Sequence, residues 1–374
     1  MGVKQLKKLL TKYAPSSITL RDIEYYKGKK FAIDANLFMY RFYYNHGNYI
    51  DGFTNQVFYF LKNNIIPVYI FDGKPPAEKT RVLKERTEKK KKVYEQIENI
   101  LEKNDLSIIQ KDENISEILQ DEELLNELLN KLEPKQKEVF KKIEELQKQL
   151  IYITKDDIEK TKELLNYLGV PVIQAYTEAD PLCSYLCKNG LVDAVVSEDM
   201  DILASGSSLL LRQGDGRNKK IEEYNLSIIL NEMKFTMNQF IDLCILCGCD
   251  YCDTIKNVGP ISAYNFIKEY GYIENVLEIK CNNGGKYKIP NDFNYGKARD
   301  LFLNYEPKPN DFETFTIKKY NIDGLENLFS KYTKFRPETI QKKFDFLKKY
   351  HGEEIETKSK YKTSKIEDFF GKKK

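Results

Sequence analysis

The sequence predicts an α/β fold built on a mostly parallel sheet flanked by helices. Three apolar runs, "KFAID" (30–34), "IIPVYIFDG" (65–73) and "LVDAVVSED" (191–199), have the length and side chains of buried strands. Helical stretches lie between them, as over 53–63 and from about Thr177. Strands alternating with helices pair in parallel, because each helix returns the chain to the same end of the sheet.

Residues 81–150 differ in character. "RVLKERTEKKKKVYEQIENILEK" (81–103) is charged and helical, and 113–150 continues with apolar residues at i, i+3 and i+4, broken at Pro134. Two or three amphipathic helices projecting from the sheet fit this pattern; a surface coiled-coil hairpin is the plainer alternative. Residues 220–275 read as all-helical with a turn at "NVGP" (257–260). A helix, "PETIQKKFDFLKKY" (337–350), precedes a polar, lysine-rich tail from 352.

The chain has 374 residues, with 60 Lys and Arg against 57 Asp and Glu, so its net charge of +3 says little about partners. Only His46 and His351 are present, which leaves no room for a zinc site of two or three histidines. Seven cysteines, no secretory signal and no long apolar run point to a soluble, reduced, intracellular protein with no membrane contact. Cys244, Cys247, Cys249 and Cys252 have a zinc-like spacing, but they straddle an apolar helix, so they read as packing residues.

The strand readings end on acid: Asp34, Asp72, and the pair Asp199 and Asp201. Ligands bind at the carboxyl ends of strands in an open parallel sheet, so these acids should share one rim. Asp199 and Asp201 are two apart and in extended chain face the same way; Glu198 faces the other. Glu178 and Asp180 open a helix, where Thr177 as N-cap with acids in the first turn is an equally good account. Asp250 follows the apolar helix "DLCILC". Seven carboxylates without histidine or thiolate partners describe a site for hard cations, Mg²⁺ or Mn²⁺. They exceed the needs of one ion, so two are expected, roughly 3.5–4 Å apart.

These residues sit in longer stretches that resemble the XPG-type structure-specific 5′ nucleases, and within them the flap endonucleases. The stretches are "MGVKQLKKLLTKYAPSSI" (1–18), "FAIDANLFMYRF" (31–42), "YIFDGKPPAEK" (69–79), "YTEADPLCSYLCKNGLVDAVVSEDMDILASGS" (176–207) and "DLCILCGCDYCDTIKNVGPISAYNFI" (242–267). The resemblance implies a PIN-like nuclease core with a helical arch insertion and a helix-two-turn-helix DNA-binding region. It divides the chain into an N-terminal nuclease region (1–104), a long arch insertion (105–150), an internal nuclease region (151–230), a helix-two-turn-helix and C-terminal helical region (231–335), and a C-terminal helix with a clamp-binding tail (336–374).

Metal roles are implied for Asp34, Asp72, Glu178, Asp180, Asp199, Asp201 and Asp250. Asp180 stands where the family usually has glutamate, so bridging by its shorter side chain, directly or through water, is left open. Lys79 and Arg86 match the basic residues at the foot of the arch, which orient the scissile phosphate and stabilise its developing charge. Seven apart, they would share a helix face. DNA contacts are implied for Gly2, Tyr40 (stacking on an unpaired base), Glu178, Gly248, Asp250 and Gly259. "NVGP" matches a turn whose backbone amides grip phosphates, with a monovalent K⁺. "NHG" (45–47) and Gln56 stand where the family often has arginines near the upstream duplex. Ile366, Phe369 and Phe370 match the sliding-clamp (PCNA) peptide, with Thr363 in place of its usual glutamine.

The implied activity is 5′ flap endonuclease and 5′-3′ exonuclease action on flaps, nicks and gaps in replication and base-excision repair. The enzyme would be a monomer in the nucleus, or at a cytoplasmic viral replication site. The rivals are a sister exonuclease or bubble and four-way-junction nuclease, and a DNA-binding scaffold without catalysis.

Overall fold

The computed structural model describes residues 3–46, 48–103, 134–150, 152–213, 220–282, 285–308 and 315–357. Its strands are β1 (Ile18–Asp22), β2 (Lys30–Asp34), β3 (Ile66–Phe71), β4 (Val172–Gln174), β5 (Ala194–Val196), β6 (Leu209–Arg212) and β7 (Lys220–Asn225). They form one sheet in the order β1-β7-β6-β5-β2-β3-β4. β4, β3, β2, β5 and β6 are parallel, while β7 runs antiparallel to both β6 and β1. The α/β class and the mostly parallel sheet are as the sequence predicts.

The "KFAID" strand has the expected bounds, but the last of the three expected strands shrinks to Ala194–Val196. The reading of 220–275 as all-helical is wrong at its start, because 220–225 forms β7. Its sequence, "KIEEYN", hides a strand behind charge. Glu223 is buried there and accepts hydrogen bonds from Tyr26 Oη (2.6 Å) and Thr19 Oγ1 (3.1 Å). A carboxylate satisfied from within the fold looks like a surface residue in the sequence.

Alternation along the strands sorts side chains into two cores. Ala32, Val68, Ile70, Val195 and Leu210 face one, with helices Ala179–Lys188 and Met237–Cys247. Phe31, Ile33, Tyr69, Phe71, Val196 and Leu211 face the other, with helices Tyr49–Lys62 and Lys155–Tyr167 and the C-terminal helix Pro337–Thr357. Both cores draw on residues from near each end of the chain, so the sheet is their common wall.

Helix Thr80–Lys103 leaves the sheet and pairs with helix Pro134–Gln147. Ile97, Phe140 and Ile143 form a small core between them, joined by Leu150 from the 3₁₀ turn Lys148–Leu150 that follows. Pro134 is the first residue of its helix, where a missing N–H costs nothing. The remainder of the expected arch, 104–133, lies outside the described residues.

Helix Met237–Cys247 ends at Gly248, whose φ of 105° disfavours other residues. A Cβ there would also meet Thr254 Cγ2 at 2.6 Å. The turn leads to helix Pro260–Tyr270, completing the helix-two-turn-helix. Cys244, Cys247, Cys249 and Cys252 are all buried in the first core, as the packing reading expects. Among the described residues no helix is long and apolar enough to cross a membrane.

Candidate active site

The same alternation builds the site. Asp34 ends β2 two residues after Ala32, and Asp72 follows β3 two residues after Ile70, so both fall in line with the first core. β2 and β3 pair in parallel register, Asp34 opposite Ile70, which brings the two acids to one edge. The pKa of Asp34 is pushed up to about 8, first by burial and then by the charge of Asp72.

Asp199 and Asp201 arrive differently from the extended-strand expectation. β5 stops at Val196, and Asp201 opens the short helix Asp201–Ala204. The Asp201 N–H donates to Asp199 Oδ1 at 2.9 Å. The pair meets through a helix start, not through strand alternation. Asp201 Oδ1 also accepts the Val3 N–H at 2.6 Å, which ties the start of the chain to the site. Nothing in the sequence pattern signals that tether. Gly2 is outside the described residues.

Thr177 is not the N-cap of helix Ala179–Lys188; Glu178 occupies that position without a side-chain capping bond. Asp72 serves instead, with Oδ1 accepting the Ala179 N–H at 2.8 Å. Gly73 permits this approach, since a Cβ there would lie 2.2 Å from the Ala175 carbonyl. The Glu178 carboxylate is thereby spared from capping and turns to other partners.

Lys79 and Arg86 reach the same cluster from the arch foot. Lys79 ends a 3₁₀ turn, Ala77–Lys79, and Arg86 lies on the following helix, so the two do not share one continuous helix as expected. Lys79 Nζ lies 2.5 Å from Glu178 Oε1 and 3.8 Å from Asp250 Oδ2, and Arg86 Nη2 lies 2.9 Å from the same Asp250 oxygen. Burial alone would lower the Lys79 pKa, but Glu178, Asp180 and Asp250 outweigh it and hold it above its ordinary value.

Burial raises the pKa of Asp72, Glu178, Asp180, Asp199 and Asp201 as well. Lys79 pulls against each of these shifts. One ammonium thus counters six carboxylates, Asp34 included.

Among the described residues, no three Asp, Glu, His or Cys side chains are closed around a point that could hold an ion as they stand. Their chemistry nonetheless fits hard divalent ions. The donors are all oxygens, their charges repel, and Asp180 Oδ1 is buried without a hydrogen-bond partner. A buried carboxylate oxygen left unpaired is costly unless a cation satisfies it.

Other expected residues sort clearly. Tyr40 is 44% exposed and feels the charges of Arg86 and Asp72, so it stands at the rim of the site. Gln56 is fully buried and accepts from Tyr69 Oη, which makes it a core residue and removes it from any duplex grip. Gly248 is explained by its φ and its contact with Thr254, without appeal to DNA. At Gly259 a Cβ would meet nothing within 4 Å, so the chain itself does not require glycine there. Glu198 faces away as expected, bound by Arg41 and, at 3.0 Å, by Arg212. Ile366, Phe369 and Phe370 lie outside the described residues.

The site is thus an acid-lined rim at the carboxyl end of a parallel sheet, countered by Lys79 from a 3₁₀ turn and Arg86 from the helix that follows it. The chain matches the XPG N-terminal domain over residues 1–93 and the XPG I-region over 169–250. It is 35% identical to flap endonuclease 1 of Entamoeba dispar across all of this chain and 93% of that one. It is 33% identical to flap endonuclease 1 of Caenorhabditis elegans, across 99% and 90%. Its fold is similar to the catalytic core of Rad2 in complex with DNA substrate, with a TM-score of 0.67 and 20% identity over 92% of this chain and all of that one. The chain belongs to the XPG-type flap endonuclease family.

Proposed function

We propose that the protein is a structure-specific 5′ flap endonuclease that hydrolyses one phosphodiester near the junction of a branched duplex. The observation that carries this is Lys79, a cation from the arch foot set among the acids at the sheet edge, in contact with Glu178 and near Asp250. A reaction at a phosphate needs both signs together: carboxylates to hold divalent ions, and a cation to meet the phosphate oxygens.

Asp34, Asp72, Glu178, Asp180, Asp199, Asp201 and Asp250 would hold two Mg²⁺, with Mn²⁺ able to substitute. Bound there, such ions supply Lewis acidity to the phosphate and lower the pKa of water. Lys79 and Arg86 orient the scissile phosphate. Tyr40, exposed at the rim, offers its ring to an unpaired base. The open approach at Gly259 suits backbone amides of the helix-two-turn-helix to phosphates of one strand, aided by K⁺. Because these groups touch backbone and not base edges, recognition follows DNA shape. The helix Thr80–Lys103 of the stem reaches the site through the pair of Arg86 with Asp250, which supports threading or clamping of a 5′ single strand beneath the arch.

Cleavage of 5′-flap, nicked, bubble and four-way-junction DNA in Mg²⁺ tests the assignment. The flap is expected to be cut at least about tenfold faster, ~1.4 kcal/mol of transition-state discrimination. Equal rates on all four overturn the flap preference. The nick measures the 5′-3′ exonuclease activity expected beside it.

The same reading places the enzyme in lagging-strand replication and base-excision repair, as a nuclear monomer recruited to the sliding clamp (PCNA). Support comes from the C-terminal "KIEDFF", an isoleucine and two phenylalanines in a polar tail. Phe369→Ala with Phe370→Ala should abolish stimulation by the clamp and leave basal cleavage unchanged. Full stimulation of that variant removes the clamp assignment.

A further inference from the structure

We propose that Tyr251 is a positioning residue for the cleavage reaction, acting on both the metal-binding and the phosphate-binding halves of the site. The inference rests on the nuclease reading above and extends it to a residue outside the seven acids and two cations.

Three contacts carry it. Tyr251 Oη donates to Glu178 Oε2 at 3.1 Å. The ammonium of Lys79 sits over the Tyr251 ring, 5.2 Å from its centroid. Phe302 packs edge-on against that ring, with centroids 5.1 Å apart and planes at 74°. Tyr251 is only 7% exposed, so its ring is fixed by its surroundings.

Glu178 therefore has two protein partners on its two oxygens, Lys79 on Oε1 and Tyr251 on Oε2. The roles of these partners differ. Lys79 is needed at the phosphate and must loosen its hold on Glu178 to serve there. The tyrosine hydroxyl makes no such move. It keeps the carboxylate aimed after the ammonium has shifted, as an outer hydrogen bond to a metal-binding carboxylate does. Meanwhile the ring face gives the ammonium an apolar yet attractive floor, which holds its charge without neutralising it. A carboxylate in the same place would compete with the phosphate for Lys79.

Two substitutions separate the two roles. Tyr251→Phe keeps the ring and removes the hydroxyl. Loss of a hydrogen bond to a charged group should weaken Mn²⁺ binding about tenfold. This is read from free Mn²⁺ by electron paramagnetic resonance, on the whole protein without DNA. Tyr251→Leu removes hydroxyl and ring together. It should show the same loss of Mn²⁺ affinity and, at saturating Mn²⁺, a further fall of about fivefold in the single-turnover rate relative to Tyr251→Phe.

Wild-type Mn²⁺ affinity in Tyr251→Phe overturns the role toward Glu178. Equal saturated rates in the Phe and Leu variants overturn the role toward Lys79. If Tyr251→Leu lowers the melting temperature enough to populate unfolded chain, pentafluorophenylalanine at 251 keeps the ring's shape and weakens its face. A saturated rate equal to that of Tyr251→Phe then overturns the second role. The Mn²⁺ titration involves no substrate, so it stands apart from the nuclease reading, which fails if the wild-type protein does not cut flaps.

Discussion

Replacing Asp199 and Asp201 together by asparagine is expected to abolish cleavage and to make the metal-free protein more stable. Both effects have one cause. The two carboxylates are almost wholly buried, at 8% and 4% exposure, within a set that has Lys79 as the cation common to six of its members. Asparagine keeps an oxygen that can still accept from the Asp201 and Val3 N–H groups, so the local turn should survive. What disappears is charge. Without it the proposed hold on divalent ions should be lost, and no cut strand should appear in Mg²⁺. Retained cleavage would sink the metal assignment.

The stability effect has a definite sign. Burial raises the pKa of both groups above the ordinary aspartate value of 3.8. The folded chain therefore holds protons that the unfolded chain has released. Stability from these groups is complete below about pH 4 and is lost as pH rises through their raised values. For Asp34, in the same cluster, that loss extends to about 8. The wild-type melting temperature in chelator should fall between about pH 4 and 8, and the double variant should fall less. At pH 7 the variant should melt about 1–2 °C higher, a gain of roughly 1 kcal/mol on a chain of this size. A lower melting temperature in the variant would show that the acids are stabilising as they stand. Functional sites that store like charge commonly show this trade.

Much of this site is legible in the sequence, and the parts that are not have physical reasons. Asp34 and Asp72 are legible because each ends an apolar run, and the period of two fixes their face. Asp199 and Asp201 are legible as acids at a strand end, but the route by which they meet is not. Helix starts and strand ends share the same polar residues, and only the backbone bond at Asp201 tells them apart. Thr177 looks like a cap because the true capping group, the Asp72 carboxylate, is remote. Sequence-local rules do not register a partner 107 residues away. Strand β7 escapes the pattern because Glu223 looks exposed in the sequence and is not. Tyr251 carries no signal of its own, since a tyrosine beside an apolar helix reads as packing; its hydroxyl bond to Glu178 depends on tertiary structure alone. The family resemblance supplies Lys79 and Arg86, which a basic run of this length would otherwise conceal.

Lys79→Ala is expected to slow single-turnover flap cleavage by about 10²–10³, the usual loss when one donor to developing negative charge is removed. The structure adds an expectation that a solvent-facing lysine would not carry. Its side chain is 15% exposed and lies against Glu178 and Asp250. It also offsets the raised pKa of Asp34, Asp72, Asp180, Asp199 and Asp201. Removing it leaves those acids with less compensation, so the metal-free protein should lose stability, opposite in sign to the asparagine pair. Divalent ions would then supply the missing charge, and the deficit should shrink as Mg²⁺ is added, because a ligand that binds only the folded chain stabilises it. Thermal melts of Lys79→Ala in chelator and in Mg²⁺, beside single-turnover rates, check both halves. An unchanged rate removes the lysine from the chemistry. A slowed rate with an unchanged melting temperature in chelator keeps it at the phosphate but removes it as counter-charge. Arg86 offers the internal contrast: at 48% side-chain exposure its pair with Asp250 is well solvated, so Arg86→Ala should slow cleavage with little change in metal-free stability.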